Sequence, residues 1–252
     1  MSEAQSTEVT DQAAGLRYLF GNATAPVHVL CCPARPALTL PLVDALSKDL
    51  TEDGQTILWV DEIALNDREH WPLPCRVKFD LSKSLAGHVT LDQGVTKLST
   101  SLWYGLSLHT YRIARPAPPL AERLTSSNVR FDSIVVSAAF NHSESFARYG
   151  SQVHFTALSG CSEAQLQQTM TWMQQVQAKC TAASWGIVLA GESEALTHAL
   201  SWLAQTAKAH LMQDVKVLGT VPTDRLNAAL AGAWTGLPEL TDILKRRLLI
   251  NH

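Results

Sequence analysis

The residues best suited to chemistry fall in three short stretches. Arg35 and Thr39, within Pro33-Ala34-Arg35-Pro36-Ala37-Leu38-Thr39-Leu40, could each touch a phosphate, and Asp61 with Glu62 could organise magnesium or a water. The third stretch, Ser137-Ala138-Ala139-Phe140, ends an apolar run without an acid for a metal. A phosphate cradle needs glycines that let consecutive peptide N–H groups turn onto the anion, a Lys to neutralise it, and a Ser or Thr to ligate magnesium. The first stretch has neither glycine nor lysine, and Pro33 and Pro36 each delete a donor. Without a cradle opposite them, Asp61 and Glu62 read as a helix cap or as solvated surface groups. Nucleotide hydrolysis is therefore not expected.

Other catalytic arrangements are weaker still. Nine His residues are scattered with no H-E-x-x-H spacing, and the five Cys (Cys31, Cys32, Cys75, Cys161, Cys180) have no paired metal-ligand spacing. Cys161, near a helix start, could pair with His142 or His154 as a nucleophile, although helix-end cysteines are commonly inert packing. No metal and no cofactor is expected. Lys and Arg number 20 against 23 Asp and Glu, for a net charge of -3, so there is no basic field to release counterions from a nucleic acid. The start MSEAQSTEVTDQ has no basic region followed by an apolar stretch, and the odd cysteine count suits a reducing cytoplasm.

The elements that must position these residues read as an α/β chain. Residues 1 to 9 are polar and expected to be disordered, and from Thr10 a short helix with Leu16, Leu19 and Phe20 on one side runs to Gly21 and Asn22. Val27 to Cys32 is an apolar strand of the kind buried on both faces of a parallel sheet. Leu40 to Leu50 forms a helix with Leu42, Val43, Leu46 and Leu50 inward, and Thr56 to Val60 is the next strand, which completes a βαβ unit. Helical turns are expected at Leu81 to Gly87 and, capped by Thr90, to Val95. Leu98 to Leu102 reads as a short strand, Gly105 to Leu108 as a loop, and Leu120 to Leu124 as a helix.

Further strands are expected at Ser133 to Ala138, Val153 to Leu158, Trp185 to Ala190 and Lys216 to Gly219. A helix capped by Ser162 with Gln165 buries Leu166, Met170, Met173 and Val176, and one capped by Ser193 turns Leu196, Ala199, Leu200, Leu203 and Ala207 inward. Asp224 to Ala233 and Leu237 to Leu249 look helical. The alternation predicts a three-layer, mostly parallel doubly wound sheet over residues 23–252, preceded by a tail and short helix over 1–22.

Several of these stretches resemble one family. Asp11-Gln12-Ala13-Ala14-Gly15-Leu16-Arg17 is similar to the D-Q-A-x-x-L-R segment that precedes the ATPase domain of FlhG (FleN), the MinD/ParA-type P-loop regulator of bacterial flagellar number and placement. Ile57 to Glu62 resembles its V-L-V-x-D-E strand end, and Asp80-Leu81 through Asp92 its D-L-x-x-x-L-x-G-x-x-T-L-x-(D/E) stretch. Trp185 to Lys208 resembles its V-V-x-x-x-x-x-x-A-L-x-x-A segment. Val217-Leu218-Gly219-Thr220-Val221-Pro222-Thr223-Asp224 resembles its F-L-G-x-x-P-x-D. The departures fall on the chemistry. Where the family reads G-K-G-G-x-G-K-T, Ala34 or Arg35 stands near the signature Lys, Thr39 near the Walker Lys and Leu40 near the metal-binding Thr. Ser137 stands where the family has its magnesium-site Asp.

The resemblance implies a MinD/ParA-like fold with a degenerate phosphate loop and no hydrolysis. It also implies a partner, because in the family the amino-terminal segment stimulates FlhF, a GTPase of the signal-recognition-particle type that places the flagellum. Gln12 would then reach the partner's nucleotide site, Asp11 and Arg17 would orient the helix, and Leu16, Leu19 and Phe20 would bury against the partner. Two rival readings stand beside this one: an ATP-binding enzyme with an unorthodox loop, and a scaffold unrelated to flagella. The basic carboxyl-terminal stripe of Leu237, Leu240, Ile243, Leu244, Leu248 and Leu249 beside Lys245, Arg246 and Arg247 is expected to pack on the domain, with peripheral contact at the inner membrane as the alternative.

Overall fold

Apolar runs bounded by turn residues become buried strands, and stripes at helical spacing become the helices that cover them. The computed structural model describes residues 24–69, 71–108, 118–125, 127, 129–139, 146–150, 153–180, 183–211, 215–224 and 238–250. The amino-terminal segment with Asp11, Gln12, Leu16, Arg17, Leu19 and Phe20 lies outside them, as does nearly all of the helix expected at Asp224 to Ala233. In the first half, β1 (Val27–Cys31) leads through a loop to α1 (Thr39–Glu52) and β2 (Ile57–Asp61). Then follow α2 (Leu81–Leu85), α3 (Leu91–Gly94), β3 (Thr96–Lys97), β4 (Leu102–Leu106), α4 (Leu120–Leu124) and β5 (Ser133–Ser137). The second half alternates β6 (Val153–Gly160), α5 (Glu163–Gln177), β7 (Ala183–Ala190), α6 (Ser193–Leu211) and β8 (Lys216–Val221), and ends in α7 (Pro238–Ile250).

The eight strands among the described residues form one sheet, in the order β3-β4-β2-β5-β1-β6-β7-β8. Every neighbouring pair is parallel except β3 with β4. One face is covered by α1 and α7, whose Leu40, Leu42, Val43, Leu46, Leu50, Leu240 and Leu244 pack on Leu30, Trp59 and Val135. The other face carries α2, α4, α5 and α6, with Leu166, Met170, Met173, Val176, Ala199 and Leu203 against Val29, Phe155 and Ile187. Each fully buried Leu or Val contributes about 1.5–3 kcal/mol from area alone, so the inward stripe of α1 holds that helix to the sheet.

Three expectations are corrected. The strand on the outer side of β2 is Leu102–Leu106, not Leu98 to Leu102, because Leu98 and Ser99 donate to the Leu102 carbonyl and form the turn between β3 and β4. Gly105 therefore lies in a strand and not in a loop. A Cβ there would come within 2.9 Å of Leu81 Cδ2, so the glycine permits the close approach of α2. Leu200 does not turn inward: it is 39% exposed, and with Val217 it lines a groove of about 320 Å³ between α6 and β8, the open edge of the sheet.

The carboxyl-terminal stripe packs on the domain. Leu240 and Leu244 are buried, Ile243 sits over Gly219, and Lys245 Nζ meets Asp53 Oδ2 at 2.5 Å. Leu237 and the side chains of Leu248 and Leu249 lie outside the described residues. Among the described residues no helix is long and apolar enough to cross a membrane.

Candidate functional site

The three stretches singled out for chemistry meet at the carboxyl edge of adjacent strands, β2, β5 and β1. In register, Asp61 lies beside Ser137 and Ser137 beside Leu30. Proline shapes the first loop: Pro36 starts a 3-10 turn, Pro36–Leu38, that runs directly into α1. Its peptide donors turn back on the loop itself. The Arg35 N–H donates to the Cys32 carbonyl and the Leu38 N–H to the Arg35 carbonyl, each at 3.0 Å, and the Thr39 N–H points at the Pro36 and Ala37 carbonyls. The Thr39 hydroxyl accepts from the Cys32 N–H at 3.2 Å. Gln168 of α5 donates to the Pro33 carbonyl at 3.0 Å and fixes the start of the loop. Leu40 is wholly buried, Ala34 is exposed, and the cavity beneath the loop is about 10 Å³ between Leu30, Cys32, Thr39, Leu42, Leu240 and Leu244. That is room for at most about one water.

Asp61 and Glu62 are neither caps nor solvated groups, which corrects the sequence expectation: they are 0% and 1% exposed. Burial of a carboxylate is tolerable when charge and hydrogen bonds compensate it, and at Asp61 both do. Asp61 Oδ2 accepts from Arg68 at 2.5 Å and from the Tyr104 hydroxyl at 2.6 Å, while Oδ1 accepts from the Ile63 N–H at 3.0 Å. Ser137 completes the shell: its Oγ lies 3.3 Å from Asp61 Oδ1 and accepts the Trp59 indole N–H at 2.9 Å. Arg68 also donates to the Trp71 and Pro72 carbonyls, at 3.1 Å each, so its guanidinium is fixed on both sides. Glu62 faces the other side of the sheet and accepts from the Tyr149 hydroxyl at 2.5 Å, with Ser107 Oγ 3.2 Å from the same phenol oxygen.

The electrostatics follow from burial. The Tyr104 and Tyr149 hydroxyls are held well above the usual phenol range by burial first and by the neighbouring Asp61 and Glu62 second, so both remain donors at neutral pH. Burial likewise pushes the Cys31 thiol up and that of Cys32 to about 11. These adjacent cysteines are buried free thiols unsuited to nucleophilic work. Arg35 forms a bidentate pair with Glu69 (2.8 and 2.7 Å), whose hydrogen bond raises the Arg35 pKa.

The structure brings together Arg35, Thr39, Asp61 and Ser137, but not Cys161 and His154, which lie beyond the end and near the start of β6 respectively. Burial raises the Cys161 thiol too, and His142 lies outside the described residues. Among the described residues no group of three His, Cys, Asp or Glu could hold a metal. Sequence reasoning missed Arg68, Glu69, Tyr104 and Tyr149. The nearest signal was an arginine in a turn-rich stretch shortly after a strand-ending acid.

No family profile matches the chain, and no curated protein matches it. Solved structures do. MinD, a cell division protein of Aquifex aeolicus, superposes with a TM-score of 0.55 at 15% identity over 90% of this chain and 98% of that one. Apo McdA from Cyanothece gives 0.61 at 12% identity, over 89% and 99%. A putative plasmid partition protein of Borrelia burgdorferi bound to AMPPNP gives 0.51 at 12% identity, over 90% and 99%. The chain thus has the three-layer α/β fold of MinD/ParA-like P-loop NTPases.

Proposed function

We propose that the chain is a non-hydrolysing MinD/FlhG-like regulatory protein of flagellar assembly or placement, acting in the cytoplasm by protein contact. In this reading its amino-terminal segment stimulates an FlhF-type GTPase. The observation that carries the first part is the Asp61 site: the carboxylate at the second strand end is already matched by Arg68 and Tyr104, with Ser137 against it. The residues present do not fit a magnesium nucleotide. The loop has no glycine or lysine, its donors close on themselves, and Ser137 offers no second carboxylate. The partner assignment rests on Asp11-Gln12-Ala13-Ala14-Gly15-Leu16-Arg17 alone.

The test is GTP turnover by a purified FlhF-type protein, with the full chain and with residues 1–22 deleted. Stimulation by the full chain that vanishes on deletion is the expected result. Equal turnover with both forms overturns the partner assignment and leaves a binding protein whose target lies elsewhere. Mg–ATP hydrolysis by the chain itself overturns the non-hydrolysing part.

A further inference from the structure

Arg68 and Glu69 are consecutive, and their side chains go opposite ways. Arg68, 4% exposed, turns inward to Asp61 and the Trp71 and Pro72 carbonyls. Glu69, 44% exposed, turns outward and clamps Arg35 of the first loop in a two-pronged pair across 34 positions of sequence. Between these anchors the backbone bends at Glu69 to φ 54°, the one positive φ of a non-glycine among the described residues. An L-residue is strained there and persists only where the surroundings over-determine it. Here the bend residue and the residue before it are both held by charge.

In nucleotide switches, loops at a phosphate site are ordered by phosphate and magnesium and released on hydrolysis. This chain has guanidinium and carboxylate at the corresponding edge of its sheet. We propose that Arg68 and Glu69 form a built-in latch: Arg68 supplies the cation that balances Asp61, and Glu69 ties the β2 loop to the β1 loop. The two loops then hold one arrangement without nucleotide. The latch rests on the reading that no nucleotide acts at this edge, and it converts a switch into a fixed surface. Partner contact at this edge needs no ATP-driven change of shape.

Amide hydrogen exchange on the full chain tests this. The reporters in the first loop are the Arg35 and Leu38 amides, which donate to Cys32 and Arg35, and those in the second are the Asp67 and Trp71 amides, which donate to Ala64 and Arg68. The Arg35–Glu69 pair is on the surface, so its variants fold. Arg35→Ala is expected to speed exchange at Asp67 and Trp71 roughly fivefold, equivalent to about 1 kcal/mol, the upper range for an exposed pair. Glu69→Ala acts in the reverse direction on Arg35 and Leu38, and the swap Arg35→Glu with Glu69→Arg restores slow exchange in both loops. Glu69→Gly separates the two parts: glycine adopts the bend freely, so Asp67 and Trp71 stay slow while Arg35 and Leu38 speed up.

Wild-type rates at Asp67 and Trp71 in Arg35→Ala overturn the latch. Slowing of all four amides by Mg–ATP in the wild type overturns the nucleotide-independent reading instead, so the two failures are distinguishable.

Discussion

Asp61 Oδ2 and Arg68 lie 2.5 Å apart with side chains 0% and 4% exposed, an ion pair with both members buried. Its setting makes it structural. A carboxylate out of water is costly, and its attraction to one guanidinium offsets that cost only when the remaining lone pairs and N–H groups are also satisfied. Tyr104, the Ile63 N–H, and the Trp71 and Pro72 carbonyls do this. The pair thereby fixes the end of β2 and the turn after it in one arrangement.

Removing one member should therefore cost far more than removing both. Arg68→Ala leaves the Asp61 charge buried and is expected to lower stability by about 3–5 kcal/mol. The double variant Asp61→Asn with Arg68→Met should recover much of that loss. Urea unfolding of the three proteins decides it, and equal losses in the single and double variants would show that the pair's charge is not what matters.

Stability should fall on the alkaline side. Cys32 ionises near 9.0 when free and at about 11 in the folded chain, so its contribution is complete below pH 9 and is lost as pH rises through 11. Two pH units correspond to something on the order of 2–3 kcal/mol. The raised Tyr104 and Tyr149 add to the decline above their free value of 10. The urea midpoint should drop steeply above about pH 9, and Cys32→Ala should flatten the slope between about 9 and 11. An unchanged slope in that variant would assign the decline to Cys31 and the tyrosines.

Millimolar Mg–ATP should not raise the melting temperature, since stabilisation by a ligand requires preferential binding to the native state. Thermal unfolding with and without nucleotide measures this directly. A clear magnesium-dependent rise would restore the rival reading of an ATP-binding enzyme.

Gln12→Ala should abolish stimulation of an FlhF-type GTPase while leaving urea unfolding near that of wild type, since the two-turn helix expected from the sequence is too short to contribute much core. Retained stimulation would remove Gln12 from the contact.

What was legible in the sequence was local. The apolar run Val27–Cys31, the α1 stripe, the Thr90 cap and the Ser162 cap with Gln165 are patterns within a few residues, and each element forms close to where the pattern puts it. So are the strand ends that set Asp61 beside Ser137. The burial of Asp61 and Glu62 was not legible, because Arg68 follows in a turn-rich stretch with no pattern that marks it as a partner, and the phenols that meet both carboxylates are distant in the chain. Tyr104 lies 43 positions from Asp61, and Tyr149 lies 87 from Glu62. Gly105 misled for a related reason: alone it resembles a loop residue, and only Leu81 against it explains its place in a strand.

The sheet order has a consequence for synthesis. β1 pairs with β5 and β6, with Val27 opposite Ile134 and Val153, so this early strand has neither neighbour until more than half of the chain has been made. Its run of five buried residues is then bare on both edges as the nascent chain lengthens. Parallel pairing across such separations is slow, and exposed apolar strands associate with one another. Chains stalled before β6 should therefore be the form that requires chaperone protection.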